Sequence, residues 1–206
     1  MWALVEDNAV TKVFTRPKAL TLGDNQYPAN IFMLWSSSEL EAIGIYEVVI
    51  DNTNLKNQEY YINTNQTFAF ADGTVTASYG TATAKNLDDT LYTADDEAEN
   101  ANNVEGTVAS RGLKYNHKEV INSQAAGHLQ PTDWMVVRAA EGGTAVPSSI
   151  TTSRAAVRTK ANEMCTAIDG AADVDALAAL YVYTYADPDD LTSAYTRPLG
   201  ELPEVG

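Results

Sequence analysis

The sequence predicts an α+β protein built in parts, and three observations carry that expectation. Hairpin signals with alternating apolar residues fill the first 84 residues; an acidic stretch poor in large apolar groups follows; helical periodicity begins near residue 111. The expected organisation is a hairpin-rich α+β domain over 1–84, an acidic linker over 85–107, a small helical bundle over 108–185 and an extended arm over 186–206.

In the first part, Ala3-Leu4-Val5 and Val10-Thr11-Lys12-Val13-Phe14 flank Glu6-Asp7-Asn8-Ala9, which reads as an opening hairpin. Leu20-Thr21-Leu22 runs into Gly23-Asp24-Asn25, a second turn signal. Ser38-Glu39-Leu40-Glu41 fits a capping box, with the serine oxygen at the helix start and Glu41 reaching back. Gly44 ends that short helix by adopting a left-handed backbone. Ile45 to Ile50 is β-branched and aromatic, as a strand requires. Thr67–Ala71, Asp72-Gly73 and Thr74–Tyr79 form the clearest hairpin, because Asp-Gly suits a turn with positive φ at both centres.

Residues 85–107 carry seven acids and one base and lack the apolar area to offset chain entropy, so a solvated linker is expected. A calcium loop is the alternative. Asp88, Asp89, Asp95, Asp96 and Glu97 supply hard oxygens, but not at EF-hand spacing.

Beyond them, Leu113, Val120 and Ile121 share a face of a helix expected to end near Gly127. Pro131 and Thr132 then restart the chain, with Thr132 as N-cap of a short helix from Asp133 to Ala140. Its Trp134, Val137 and Arg138 lie along one side, and Arg138 can pair with Glu141. Gly142-Gly143 ends it, and Pro147 keeps the next segment extended. Val157, Ala161, Met164, Cys165 and Ile168 form an apolar stripe on a helix over roughly 151–169, where Trp134 is expected to anchor. Asp173 caps a last helix bearing Val174, Leu177, Leu180 and Tyr181.

Charge and composition exclude several functions. The net charge of −15 offers no clustered cations for phosphate, so no nucleic-acid partner is expected. No apolar run reaches membrane-helix length and the first seven residues hold two acids, so a soluble chain with no membrane partner and no export by the usual route is expected. The single Cys165 makes no internal disulfide and packs as a small hydrophobe. His117 and His128, eleven apart, lie about 16 Å apart along a helix and share no metal, so both are expected at the surface or as caps. No nucleophile elbow and no phosphate loop occur. No catalytic, cofactor-binding or metal-ligating residue is expected, and no cofactor.

The aromatic residues give the remaining hint. Eleven tyrosines include Tyr60-Tyr61 and the alternating run Tyr181-Val182-Tyr183-Thr184-Tyr185, which predicts that the last helix passes into a strand offered to a neighbour. The candidate interaction residues are Trp134, Arg138, Tyr181, Tyr183 and Tyr185.

The stretch from Leu129 through Pro131-Thr132-Asp133-Trp134 to Arg138, with Glu141, Ala145-Val146-Pro147 and Arg154–Arg158, resembles a module of tailed-bacteriophage tail-fibre, tail-fibre-assembly and small virion proteins. Ile168 to Leu177 is similar to that module's closing helix. Met1–Val5, Tyr27–Phe32 and Gly44–Val48 look like small structural proteins of marine phages. The resemblance implies a non-enzymatic virion component of the tail or fibre-attachment region, present in several copies and contacting other tail subunits. A fibre-assembly chaperone is the alternative, and a carbohydrate-binding receptor module using N-terminal tyrosines is a third class.

Overall fold

The computed structural model describes residues 1–205, and its α+β chain divides into two compact units, Met1–Thr83 and the chain from Ala84 onward. In the first, β1 (Trp2–Glu6) and β2 (Ala9–Phe14) form the opening hairpin around Asp7 and Asn8, both at positive φ. A second, small hairpin follows, β3 (Leu20–Leu22) with β4 (Asn25–Tyr27). Two short helices come next, α1 (Ile31–Leu34) and α2 (Ser37–Glu41), and then β5 (Ile45–Asp51). The capping box lies two residues earlier than expected. Ser36 caps α2 and Glu39 reaches back to the Ser36 N–H at 2.8 Å, because the helix begins at Ser37.

The hairpin of β7 (Gln66–Ala71) and β8 (Thr74–Tyr79) turns at Asp72-Gly73 with φ of 50° and 75°, as the Asp-Gly pair demands. Short strands β6 (Tyr61–Ile62) and β9 (Thr83–Ala84) precede and follow it along the chain. The main sheet has the order β2-β1-β5-β8-β7, antiparallel throughout except for the parallel pair β5 and β8. Its outer strands β2 and β7 approach each other, so the sheet curls.

Period-two alternation then divides the side chains between two faces. Leu4, Phe14 and Ile45 pack with Leu20, Ile31, Phe32 and Leu40 on the face covered by the second hairpin and the two helices. Ala3, Val48, Val75 and Ala77 pack with Tyr46, Phe68 and Phe70 on the other. Gly44 joins α2 to β5 at φ +80°, where an added Cβ would sit 2.9 Å from the Val5 carbonyl oxygen. That oxygen's own residue donates its N–H to Gly44 O at 2.8 Å. Gly44→Ala is expected to lower the unfolding free energy by about 1–3 kcal/mol, read as an earlier urea midpoint.

The second unit opens with β10 (Thr90–Leu91), α3 (Ala94–Glu99) and β11 (Val108–Ser110), β10 pairing with β11. The expected loose linker is therefore corrected: 85–107 carries local structure without burying a helix face. Thr93 and Asp96 form a capping box on α3, whose acids Asp95, Asp96 and Glu97 occupy its first turn.

Three helices follow: α4 (Leu113–Ala140), α5 (Ser148–Asp169) and α6 (Val174–Ala179). The first two run antiparallel, as the contacts Lys118–Asp169 and Asp133–Arg154 fix. On α5, Val157, Ala161, Met164 and Ile168 are buried at helical spacing, facing the α4 series Leu113, His117, Ile121, Ala125 and Thr132. Cys165 is only half-buried beside this seam, and Val120 is exposed. Asp173 caps α6 as expected, accepting from Ala176 N at 2.8 Å.

The 186–206 arm is also corrected. Strands β12 (Thr184–Tyr185) and β13 (Tyr195–Thr196) pair within the chain. Leu199 beyond them is 2 % exposed and donates its N–H to Leu180 O. The tyrosine strand is thus paired on one edge within the chain, by β13.

Candidate functional site

The 129–147 segment forms the tip of a helical hairpin, and its construction departs from the sequence expectation. α4 does not stop at Gly127 and restart at Thr132; it runs through Pro131. Proline removes one helix donor and disfavours a helical residue before it. The acceptor that loses its helix donor is Gly127 O, four residues earlier, and α5 clasps the residues on either side of the proline. Arg154, with 8 % of its side chain exposed, donates through Nη1 to Leu129 O at 2.7 Å and to Thr132 Oγ1. Its Nη2 donates to Asp133 Oδ1 at 2.7 Å. Thr132 is buried and donates its hydroxyl to Leu129 O, so it serves as an internal link and not as an N-cap. Asp133 likewise sits inside the helix, held by Arg154 rather than by a helix N-terminus.

Beyond this clasp the tip presents apolar surface. Trp134, Val136 and Val137 are 54 %, 42 % and 56 % exposed, and Trp134 does not anchor to α5. Arg138 stacks over the Trp134 ring at 4.8 Å instead of pairing with Glu141. Its Nε, shielded from solvent, has no hydrogen-bond partner among the described residues. Gly143 closes the turn: its N–H donates to Arg138 O, and an added Cβ would lie 2.8 Å from both that oxygen and Arg138 Cγ. The Arg138–Trp134 stack and the glycine turn together shape the tip.

The tyrosines are divided between core and surface. Tyr181 contacts His117, with its hydroxyl 2.9 Å from His117 Nδ1. His117 is 7 % exposed, which corrects its placement at the surface; it occupies the α4 seam. Tyr183, Tyr185 and Tyr195 form a cluster of edge-to-face rings around β12 and β13, with Arg197 over Tyr183. The structure does not bring Trp134 and Arg138 into contact with this cluster; the two groups occupy separate parts of the unit.

The 86–89 segment acts as a cap for α4. Asn86 O and Leu87 O accept the first N–H groups of α4 from Leu113 and Lys114. Asp89 accepts from Gly112 N at 2.8 Å and from Arg111 at 2.6 Å. The Gly112 N–H first, and then the Arg111 guanidinium, hold the Asp89 carboxyl below the usual carboxylate range. A depressed folded-state value contributes stability above the unfolded value, about 3.9 for aspartate, and that contribution is lost as pH falls through the lower folded value. Asp89→Asn is expected to unfold earlier than the parent chain at neutral pH, with the gap closing below about pH 4. A pH series of urea midpoints reads it. The calcium alternative finds no trio of metal-ligating side chains among the described residues.

Burial raises the Cys165 thiol above its usual range, so it is a poor nucleophile at neutral pH. No helix among the described residues is long and apolar enough to cross a membrane.

Fold and site together define an α+β protein that presents an exposed apolar helical hairpin tip. Compared with protein-family models, curated proteins and solved structures, the chain matches none.

Proposed function

We propose that this chain is a non-enzymatic structural component of a bacteriophage virion, in the tail or fibre-attachment region, held there by protein–protein contacts and present in several copies. The observation that carries this is the α4–α5 tip. Trp134, Val136 and Val137 stand exposed on a helix end that is held by Arg154, the Gly143 turn and the Arg138 stack. A rigid aromatic anchor beside an arginine is the composition that concentrates binding energy at protein interfaces. The same residues carry the resemblance to tail-fibre modules, so sequence and exposure point to one surface.

The reading is tested by complementing a phage that lacks the gene with the Trp134→Ala chain. Folding stability is expected to change by less than about 1 kcal/mol, since only an exposed cation–π contact is lost. Incorporation into particles is expected to fall at least tenfold. Undiminished incorporation of Trp134→Ala overturns the assignment of this surface.

A further inference from the structure

Cations are scarce in this chain, 13 against 28 acids. Arg111, Lys114, Lys118, Arg154, Lys160 and Arg197 each pair with a carboxylate. Lys12, Arg16 and Lys18 do not, and residues 8–23 around them hold no acid. All three are exposed and none makes an ion pair among the described residues; Lys12 Nζ lies 5.4 Å from the centre of the Phe14 ring. Lys12 lines an open cleft of about 630 Å³ between β2 and the second hairpin, together with Ala19, Thr21, Gln26, Tyr27 and Pro28. Arg16 and Lys18 occupy the connection from β2 to β3, whose Ala19 is part of that lining.

Unmatched cations grouped on a chain of net charge −15 mark a surface that attracts acidic groups. The chain carries a complementary segment of its own. The turn between β12 and β13 presents Asp187, Asp189 and Asp190, all exposed, followed by Leu191 at 71 % exposure. Asp187 Oδ1 accepts from Asp189 N at 3.0 Å and Asp190 Oδ1 from Thr192 N at 2.9 Å, which holds the turn in shape. None of its three carboxylates pairs with a cation among the described residues. The acids of 86–105 differ: Asp88 and Asp89 already pair with Lys114 and Arg111, and those of α3 lie in its own first turn. We infer that the cleft of one copy receives the 187–191 turn of a second copy, with the aspartates against Lys12, Arg16 and Lys18 and Leu191 against Ala19, Tyr27 and Pro28. At about 0.15 M salt the screening length is about 8 Å, so these close pairs persist while repulsion between distant acids of the two copies is damped. Cleft and turn are unlike surfaces, so copies add head to tail. The inference is independent of the hairpin tip and of any role in a particle.

The test is analytical ultracentrifugation of the full chain over about 10 μM to 1 mM in about 0.15 M NaCl. The average mass is expected to rise with concentration, with a contact Kd on the order of 100 μM, as a small polar interface gives. Lys12→Glu with Lys18→Glu weakens association at least about tenfold, and so does Asp189→Lys with Asp190→Lys. Arg16→Glu, outside both strands, gives a loss in the same direction, and circular dichroism reports whether each variant is folded. An equimolar mixture of the two double variants regains association, because each supplies the surface that the other has lost. Trp134→Ala leaves association unchanged, which separates this contact from the hairpin tip. The inference is overturned if the parent chain stays monomeric, if the mixture fails to associate, or if either double variant associates as the parent does. It is also overturned if Trp134→Ala, or Asp95→Lys with Glu97→Lys, abolishes association as fully as the turn variant.

Discussion

Replacing Ile168 with alanine is expected to lower the unfolding free energy by about 2–5 kcal/mol. Ile168 is fully buried in the last turn of α5, at the end of the stripe formed by Val157, Ala161 and Met164. Removing its outer carbons forfeits their transfer from water and leaves a void in the seam between α5 and the buried face of α4. Val120→Ala is the control, because Val120 is 51 % exposed on the same helix pair and should change stability by no more than about 0.5 kcal/mol. Urea unfolding followed by far-UV circular dichroism separates the two. Equal effects would mean that the α5 stripe is not the core seam.

Arg154→Ala is the second large effect, expected at about 2–3 kcal/mol. The guanidinium is buried and satisfies Leu129 O, Thr132 Oγ1 and Asp133 at the point where Pro131 interrupts the α4 hydrogen-bond ladder. Its loss leaves buried acceptors with fewer donors and removes the packing of the arginine stem. The partner behaves differently. Asp133 has 55 % of its side chain exposed, so Asp133→Asn is expected to cost less than about 1 kcal/mol. Arg154→Lys should recover only part of the stability, since one ammonium cannot reach both the Leu129–Thr132 pair and Asp133 in the same geometry. An Arg154→Ala cost no larger than that of Asp133→Asn would mean that the clasp does not stabilise the hairpin tip.

These two residues also show which features were legible in the sequence. The hairpins at Asp7-Asn8 and Asp72-Gly73 were visible because positive φ at two successive positions restricts the residue types locally. The α5 stripe and the Asp173 cap were visible because a 3.6-residue period and an N-cap are also local. Continuity of α4 was not legible. Arg154 clasps α4 around the proline, and its partners lie 21 to 25 positions away. The order in 85–107 was missed for the same reason: its first residues cap α4 through Asn86, Leu87 and Asp89, contacts that composition does not record.

For the candidate surface, the Trp134 and Arg138 positions were legible as a dense, chemically distinctive cluster. Their exposure was not. The amphipathic pattern fitted Trp134 as an anchor equally well, and only the length of α4 past its last buried residue, Thr132, leaves the ring in solvent. The Tyr181–Tyr185 run was read correctly as entering a strand, but its partner strand around Tyr195 was concealed within a proline-bearing tail.

The most direct test of the proposed virion role is quantitative mass spectrometry of washed particles of the phage to which that proposal assigns the chain. A structural virion component predicts peptides from both units, retained through high-salt washing and present at several copies per particle. Peptides abundant in infected-cell lysate yet absent from the washed particles would contradict it.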